Sequence, residues 1–276
     1  MSGCGPGLDV SSLRALLSPR RDLELIRARI AAHIDTHEGY LAFSGGKDSL
    51  VVLHLALQAY PGVPVVFFDS GLEFPETYRY LAEVQQQWRF DLDVIQARPS
   101  ALEILAGCGA WDHHRPDTPT SNLFQALIGQ PSSIAHDRYG PGELWGVRAG
   151  ESRGRRVLYR AALAQTDCGC APACVDARRR ARHGGEISRH DGTVAYGPVW
   201  DWTTSDVWDH IARHNLPLNP VYDKLRRLGA PETSLRVALM VDANQLSDGR
   251  ITWLRRGWPE LFDAIASVLP RLREFT

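Results

Sequence analysis

The feature that most constrains the fold of this chain is a glycine turn between a strand-like segment and a helix-like segment. Residues 40–43 form a short apolar run, Gly45 and Gly46 follow it, and residues 50–57 continue as an apolar helix. Glycine permits a tight turn, and the exposed amides and dipole of a helix N-terminus favour anions. The segment therefore predicts a βα unit that binds phosphate.

One of the few lysines of the chain lies in this turn. The 276 residues contain only two lysines, Lys47 and Lys224, and arginine supplies the remaining positive side chains. A compact ammonium group is suited to act as a point charge among phosphate oxygens. The turn lacks the GxxxxGK[ST] pattern, so it is not the P-loop of ordinary nucleoside triphosphatases. Lys47 is therefore the first candidate for a residue that takes part in phosphate binding or catalysis.

Strand and helix patterns continue to alternate after this unit. Further strands are expected at residues 63–68, 92–97, 144–147 and 193–199, and amphipathic helices at residues 20–37 and 74–88. This alternation predicts an α/β fold with a doubly wound, mostly parallel sheet whose ligands bind outside the carboxyl ends of the strands.

The domain organisation follows from the same patterns. Residues 1–225 are expected to form one domain, and residues 226–276 a small helical extension with helix signals near residues 235–240 and 261–269. The net charge of −1 gives no global signal for nucleic acid. The first residues lack the pattern of a signal peptide, and Pro61 interrupts the uncharged stretch at residues 50–68. A cytoplasmic protein without a membrane span and without a disulfide framework is expected.

The turn also carries a family resemblance. It reads SGGKDS, which resembles the PP-loop of the ATP pyrophosphatase superfamily with its adenine nucleotide α-hydrolase-like fold. The resemblance implies cleavage of ATP between the α and β phosphates, with Lys47 and Asp48 as catalytic residues. Asp48 would either orient the loop or help to hold Mg²⁺. The residues implied in nucleotide binding are Ser44, Gly45, Gly46, Lys47, Asp48 and Ser49.

Two post-strand segments resemble the phosphoadenylyl-sulfate reductase branch of this superfamily. Residues 69–77 resemble its DTGxxFxET segment, with Ser70 in place of the usual threonine, and residues 146–156 resemble its GxRxxESxxR element. Guanidinium groups suit phosphate or sulfate oxygens, and the resemblance implies that Arg148 and Arg153 are catalytic. Further nucleotide contacts are implied for Asp69, Gly146, Glu151 and Ser152.

A third region extends the resemblance over roughly residues 38–225. Residues 198–208 are similar to PLxDWTxxDVWxYI, and residues 216–223 to LPxNPLYD. Thr203 or Thr204 is predicted to cap a helix in which Val207, Trp208 and Ile211 face the core.

The cysteines depart from the reductase pattern. No cysteine follows Cys174 in the sequence, so reductive release of sulfite by a C-terminal thiol is not expected. Cys168, Cys170 and Cys174 form a CxCxxxC triplet, and Cys108 could supply a fourth thiolate. Three interpretations stay open: ligands of an iron-sulfur cluster or zinc, a cysteine that carries persulfide, and incidental loop cysteines.

An arginine run follows the triplet. Residues 178–183 read RRRARH, which suits either a nucleic-acid backbone or a solvated helix face. Together these features resemble the ATP pyrophosphatase component of DNA phosphorothioation systems of the Dnd and Ssp types. That resemblance implies ATP and Mg²⁺ as cofactors, DNA as acceptor, and a cysteine desulfurase, other modification-complex subunits and a second copy of the chain as partners. The alternatives are a sulfate-assimilation enzyme and a non-catalytic nucleotide sensor.

Overall fold

The fold is built around one six-stranded sheet. The computed structural model describes residues 21–108, 123–165, 184–239 and 250–275. The strands are β1 Tyr40–Ala42, β2 Val65–Asp69, β3 Leu92–Gln96, β4 Gly142–Leu144, β5 Glu186–Ser188 and β6 Val194–Tyr196. Their order in the sheet is β3-β2-β1-β4-β6-β5. Strand β4 pairs in parallel with β1 and with β6, and β5 pairs antiparallel with β6.

Helices alternate with these strands along most of the described chain. They are α1 Leu23–His37, α2 Lys47–Ala59, α3 Pro75–Trp88, α4 Ala101–Cys108, α5 Gln130–Tyr139, α6 Arg153–Gln165, α7 Thr204–His214, α8 Pro220–Arg227, α9 Arg250–Gly257 and α10 Pro259–Val268. A π-helical turn spans Gln125–Gly129, and 3-10 turns span Ala149–Glu151, Glu232–Ser234 and Pro270–Phe275. The alternation and the mostly parallel sheet confirm the predicted α/β fold.

The chain divides into two compact units that interleave in sequence. The first draws on the described residues within Met1–Phe43, Lys47–Val65 and His136–Leu218. Strands β1 and β4 form its centre, with Leu41 opposite Leu144 in register and both fully buried. Helix α2 buries Leu50 and Leu53 completely. Continuous apolar residues on a parallel strand are expected where both faces of the sheet are covered.

The second unit comprises Ser44–Gly46, Val66–Ala135 and Asn219–Thr276. Strand β2 supplies buried Val66 and Phe67, and α10 supplies buried Phe262 and Ile265. The helix predicted near residues 261–269 is therefore confirmed as α10, Pro259–Val268. The proposed domain boundary after residue 225 stays a prediction.

Helix caps follow the sequence signals closely. The hydroxyl of Thr203 accepts the backbone N–H of Asp206 at 3.1 Å, and the Asp206 carboxylate accepts the N–H of Thr203 at 2.8 Å. This reciprocal pair is a capping box, and it starts α7 where the sequence predicts. Val207 and Ile211 of the same helix are buried, as expected from their spacing, whereas Trp208 is only half-buried.

Three features of the secondary structure differ from the expectations. The strand expected at residues 144–147 lies earlier, at Gly142–Leu144. Residues 235–239 do not form the predicted helix; Ala238 instead makes an isolated antiparallel bridge with Glu73. Backbone pairing within the second unit outweighs a weak local helix preference. The sequence also gave no indication of β5, because this edge strand has a single buried apolar residue, Ile187, between two exposed polar ones.

Candidate functional site

The predicted phosphate loop leads directly into a charge cluster at the start of α2. The ammonium group of Lys47 lies 2.6 Å from one carboxylate oxygen of Asp48, and the Nε of Arg148 donates to the other at 2.6 Å. Lys47 and Asp48 begin α2, and Arg148 lies 100 residues later in the chain. Among these three side chains, two cations share one carboxylate at a helix N-terminus, an arrangement that favours an anion.

Arg148 is held rigidly in this cluster. It is only 4% exposed, and its Nη1 donates to the carbonyl oxygen of Trp202 at 3.1 Å. Its Nη2 also donates to the hydroxyl of Thr204 at 3.4 Å. A buried guanidinium with several acceptors loses little further freedom when it binds an anion. Arg148 is therefore oriented before a ligand arrives.

The residues after Arg148 form a short capped turn. The Glu151 carboxylate accepts the backbone N–H of Arg148 at 2.9 Å and pairs with the guanidinium of Arg155. Ser152 is exposed, and its hydroxyl accepts the N–H of Arg155 at 3.1 Å. The contact of Glu151 fixes the backbone at Arg148, and that of Ser152 lies in the first turn of α6. Nucleotide contacts by Glu151 and Ser152 stay a prediction.

Arg153 differs from Arg148 in its environment. It is exposed at the first position of α6, and it makes no ion pair with any residue that the structure describes. Counting along GxRxxESxxR from Gly146 gives Arg155, not Arg153, as the final arginine of the element. Arg155 therefore joins Arg148 as a candidate.

Gly146 allows the strand β4 loop to lie against the start of α2. A Cβ built on Gly146 would be 2.6 Å from the backbone nitrogen of Ser49 and 2.9 Å from the carbonyl carbon of Asp48. Contacts this short do not occur for real side chains. The absence of a side chain at Gly146 is what brings the segment of Arg148 next to Asp48.

The glycines of the loop itself belong to the second unit. Gly45 has a φ of +70°, which L side chains rarely adopt. Its carbonyl oxygen accepts a hydrogen bond from the side-chain amide of Asn219 at 3.4 Å, and the same amide donates to Thr77 at 3.2 Å. Asn219 is 1% exposed and also caps α8. It holds the loop, a role that the motif around residues 216–223 did not reveal.

A second polar cluster follows strand β2 in the second unit. Asp69 is buried, and one of its oxygens accepts the N–H of Gly71 at 2.8 Å and the hydroxyl of Tyr78 at 2.9 Å. The hydroxyl of Ser70 donates to Glu73 at 2.8 Å. Burial raises the pKa of Glu73 to about 7, and the nearby charge of Asp69 acts in the same direction against the hydrogen bond from Ser70.

Asp48 is better suited to orient the loop than to hold Mg²⁺. Each of its two carboxylate oxygens is already bound by a cation of the protein. A magnesium ion prefers oxygen ligands with nearly ideal octahedral geometry and would have to displace Lys47 or Arg148. A Mg²⁺ that enters with ATP would therefore depend on phosphate oxygens.

The predicted cysteine site is described only in part. Cys168, Cys170, Cys174 and the arginine run at residues 178–183 lie outside the described residues. Cys108 is the last residue of α4.

Among the described helices, none combines the length and the apolar character that a bilayer span requires.

Comparisons with known proteins agree with this fold. A family model described as the phosphoadenosine phosphosulfate reductase domain matches residues 38–235. The phosphoadenosine 5'-phosphosulfate reductase of Xanthomonas oryzae pv. oryzae (strain PXO99A) is 28% identical over 218 residues, which is 78% of each chain. That of Xylella fastidiosa (strain M12) is 26% identical over 186 residues, or 67% of each chain.

One solved structure has a similar fold. The phosphoadenylyl-sulfate reductase of Candida auris, crystallised as a phosphate complex, matches with a TM-score of 0.50 and 17% sequence identity. The match covers 83% of this chain and 94% of the other. At this identity the likeness concerns the fold and leaves the chemistry to be argued from the site.

Proposed function

Because the chain belongs to the phosphoadenosine phosphosulfate reductase domain family, we propose that it binds an adenine nucleotide with the phosphates at the start of α2. We further propose that it cleaves ATP between the α and β phosphates and transfers the adenylyl group to an oxygen acceptor. The observation that carries this proposal is the pair of cations, Lys47 and Arg148, held on one aspartate at a helix N-terminus.

The charge cluster suits a reaction that releases pyrophosphate. When an acceptor oxygen attacks the α phosphorus, the bond to the bridging oxygen breaks and negative charge builds up on the departing pyrophosphate. Lys47 and Arg148 are fixed cations, so they stabilise that charge with little rearrangement. The backbone N–H groups at the start of α2 also stabilise negative charge on the departing pyrophosphate. Asp48 keeps the two cations at a fixed separation.

The proposed acceptor is a non-bridging oxygen of a DNA phosphate. The sequence offers two features for this assignment, the arginine run at residues 178–183 and the triplet of Cys168, Cys170 and Cys174. Persulfide sulfur from a cysteine desulfurase would attack the activated DNA phosphorus and displace AMP. A second thiol would then reduce the sulfur-sulfur bond and leave a phosphorothioate.

Sulfonucleotide reduction is the second candidate function. It is supported by relatives 26–28% identical that are named phosphoadenosine 5'-phosphosulfate reductase. The same cation pair would bind the phosphates of a sulfonucleotide as well as those of ATP, so the site geometry is compatible with both reactions. The two candidates differ in their substrate and products, which allows them to be separated directly.

The test follows the products of α-labelled ATP. The protein is incubated with Mg²⁺, DNA and a cysteine desulfurase, and the nucleotides are separated. AMP and pyrophosphate support the proposal, whereas ADP contradicts it. A parallel reaction receives phosphoadenylyl sulfate and reduced thioredoxin; release of sulfite there, without AMP formation from ATP, would establish the second candidate. Nucleotide binding without any product would identify a sensor.

The two lysines provide a matched pair of variants. Lys47→Ala removes a cation of the cluster and is expected to lower turnover by about 100-fold or more, the usual cost of losing one group that stabilises transition-state charge. Lys224→Ala removes an ammonium group that pairs with Glu76 at 2.8 Å in the second unit. It should leave turnover nearly unchanged in folded protein. Equal activity of Lys47→Ala and the wild type would refute the assigned role.

A further inference from the structure

The first unit contains another group of polar side chains, which is separate from the charge cluster of Lys47, Asp48 and Arg148. His33 and His37 are one helical turn apart on α1, and Glu186 begins the edge strand β5. One ligand atom from each of these three residues can be chosen so that all lie within 4.8 Å of one another. The spacing of four residues places both imidazoles on the same face of the helix.

His33 is the unusual member of the group. Its side chain is only 1% exposed, yet neither ring nitrogen hydrogen bonds to a residue within the described part of the chain. Oε2 of Glu186 lies 3.8 Å from Nδ1 of His33 and is thus beyond hydrogen-bonding distance. A buried polar group without a partner is costly and calls for an explanation. A ligand held between His33 and its neighbours would supply one.

The donor set identifies the chemistry of that ligand. Two imidazole nitrogens and one carboxylate oxygen suit Zn²⁺, whereas Mg²⁺ and Ca²⁺ prefer oxygen ligands alone. Zinc bonds of 2.0–2.2 Å in a tetrahedral arrangement put the donors about 3.3 Å apart. The donors would therefore approach one another by up to about 1.5 Å. The side chain of Glu186 is 45% exposed and has room to make this movement.

We propose that His33, His37 and Glu186 form a zinc site that links α1 to β5, with a fourth position open to water. The site is independent of the proposed nucleotide chemistry, because it uses neither Lys47 nor Arg148. Zinc binding would fasten the edge strand to the helix and stabilise the folded protein, since it adds a ligand that the unfolded chain does not hold in this geometry.

Metal titration of the full chain tests this site. The protein is stripped with a chelator and titrated with Zn²⁺ against a chromophoric competitor. His37→Gln and Glu186→Gln are each expected to weaken one zinc equivalent by at least about 10-fold, because even the loss of an outer-shell partner costs 10–100-fold. His190→Gln is the control, since His190 is exposed in the turn between β5 and β6. It should bind as the wild type does.

The cysteines require a second measurement, because thiolates also bind zinc. Co²⁺ at the proposed site should show visible d–d bands that disappear in both variants, without the near-ultraviolet thiolate band of a cysteine site. Zinc should also raise the melting temperature of the wild type more than that of either variant. Circular dichroism of the metal-free proteins establishes that all variants are folded.

Three results would overturn the proposal. Both variants could retain every zinc equivalent at wild-type affinity, or all bound Co²⁺ could show only thiolate bands. Either result would leave His33 and Glu186 as a simple ion pair. Loss of the equivalent in only one of the two variants would exclude the three-ligand site.

Discussion

Glu73 allows a test of the electrostatics of the second unit through pH. Its carboxyl group is largely enclosed, receives a hydrogen bond from Ser70, and has the charge of Asp69 nearby. These surroundings raise its pKa from 4.5 to about 7. In the native state Glu73 is therefore protonated at a pH where the unfolded chain has already lost the proton. We predict that Glu73→Gln makes the protein more stable at alkaline pH, relative to the wild type.

The magnitude follows from the width of this pH window. Between pH 4.5 and about 7 the native state binds one more proton at Glu73 than the unfolded state does. The contribution of Glu73 to the free energy of unfolding of the wild type therefore falls with rising pH, by about 1.4 kcal/mol per unit. Over the whole window the loss approaches about 3 kcal/mol, and partial exposure of Glu73 lowers it to roughly 1–3 kcal/mol. Glutamine does not titrate and can still accept the hydrogen bond from Ser70.

The assay is urea denaturation of both proteins from pH 4 to pH 8.5. The difference in free energy of unfolding, variant minus wild type, should be constant below pH 4.5 and rise in favour of the variant up to about pH 7.5. Glu76→Gln is a control of opposite sign. Despite partial burial, hydrogen bonds and the charge of Lys224 lower the pKa of Glu76. Replacing Glu76 should therefore lower the free energy of unfolding above pH 4.5, and this loss should become smaller as the pH falls below 4.5. A pH-independent difference for Glu73→Gln would refute the reasoning.

Two further predictions concern the first unit. Gly146→Ala should lower stability by about 1–3 kcal/mol and weaken nucleotide binding, because its Cβ would meet the backbone of Ser49 at 2.6 Å. Gly150→Ala is the control, since its Cβ would have no neighbour within 4 Å. It should change neither the stability, measured by thermal melts, nor the affinity, measured by nucleotide titration. Burial and neighbouring positive charge lower the pKa of His54 to about 4 and that of His210 to about 3, so both stay neutral in the native state while the unfolded chain takes up protons below pH 6.5. The contribution of His54 and His210 to the free energy of unfolding should thus fall as the pH falls from 6.5 to 4. His210→Gln should reduce this part of the pH dependence relative to the wild type; an identical slope for the two proteins would contradict the assignment.

The sequence was sufficient for features that depend on local spacing. The strand, glycine turn and helix around Lys47 appear in the structure as β1, a loop and α2. The cap at Thr203 was equally accessible, since a capping box needs residues only three positions apart. The S-x-x-E signal at Ser100 and Glu103, which precedes and enters α4, was present in the sequence as well and could have located that helix.

Features that depend on distant residues were not accessible in the same way. No periodicity shows that the amide of Asn219 donates to the carbonyl of Gly45, 174 positions away in the chain. The raised pKa of Glu73 likewise results from burial, which a motif does not describe. Charged residues read as separate motifs also gave no sign that Asp48 binds both Lys47 and Arg148.

The position of Asp48 explains how a cation pair can persist at a helix N-terminus before an anion binds. Lys47 and Arg148 would repel each other and the positive end of the α2 dipole, whereas a carboxylate at the first turn is favourable there. Asp48 neutralises one of the two charges and fixes both side chains at 2.6 Å. A phosphate that replaces part of these contacts meets cations that are already oriented, so less ordering entropy is lost on binding. Asp48 thus lowers the cost of holding two cations side by side at the start of α2, where both can contact the ligand.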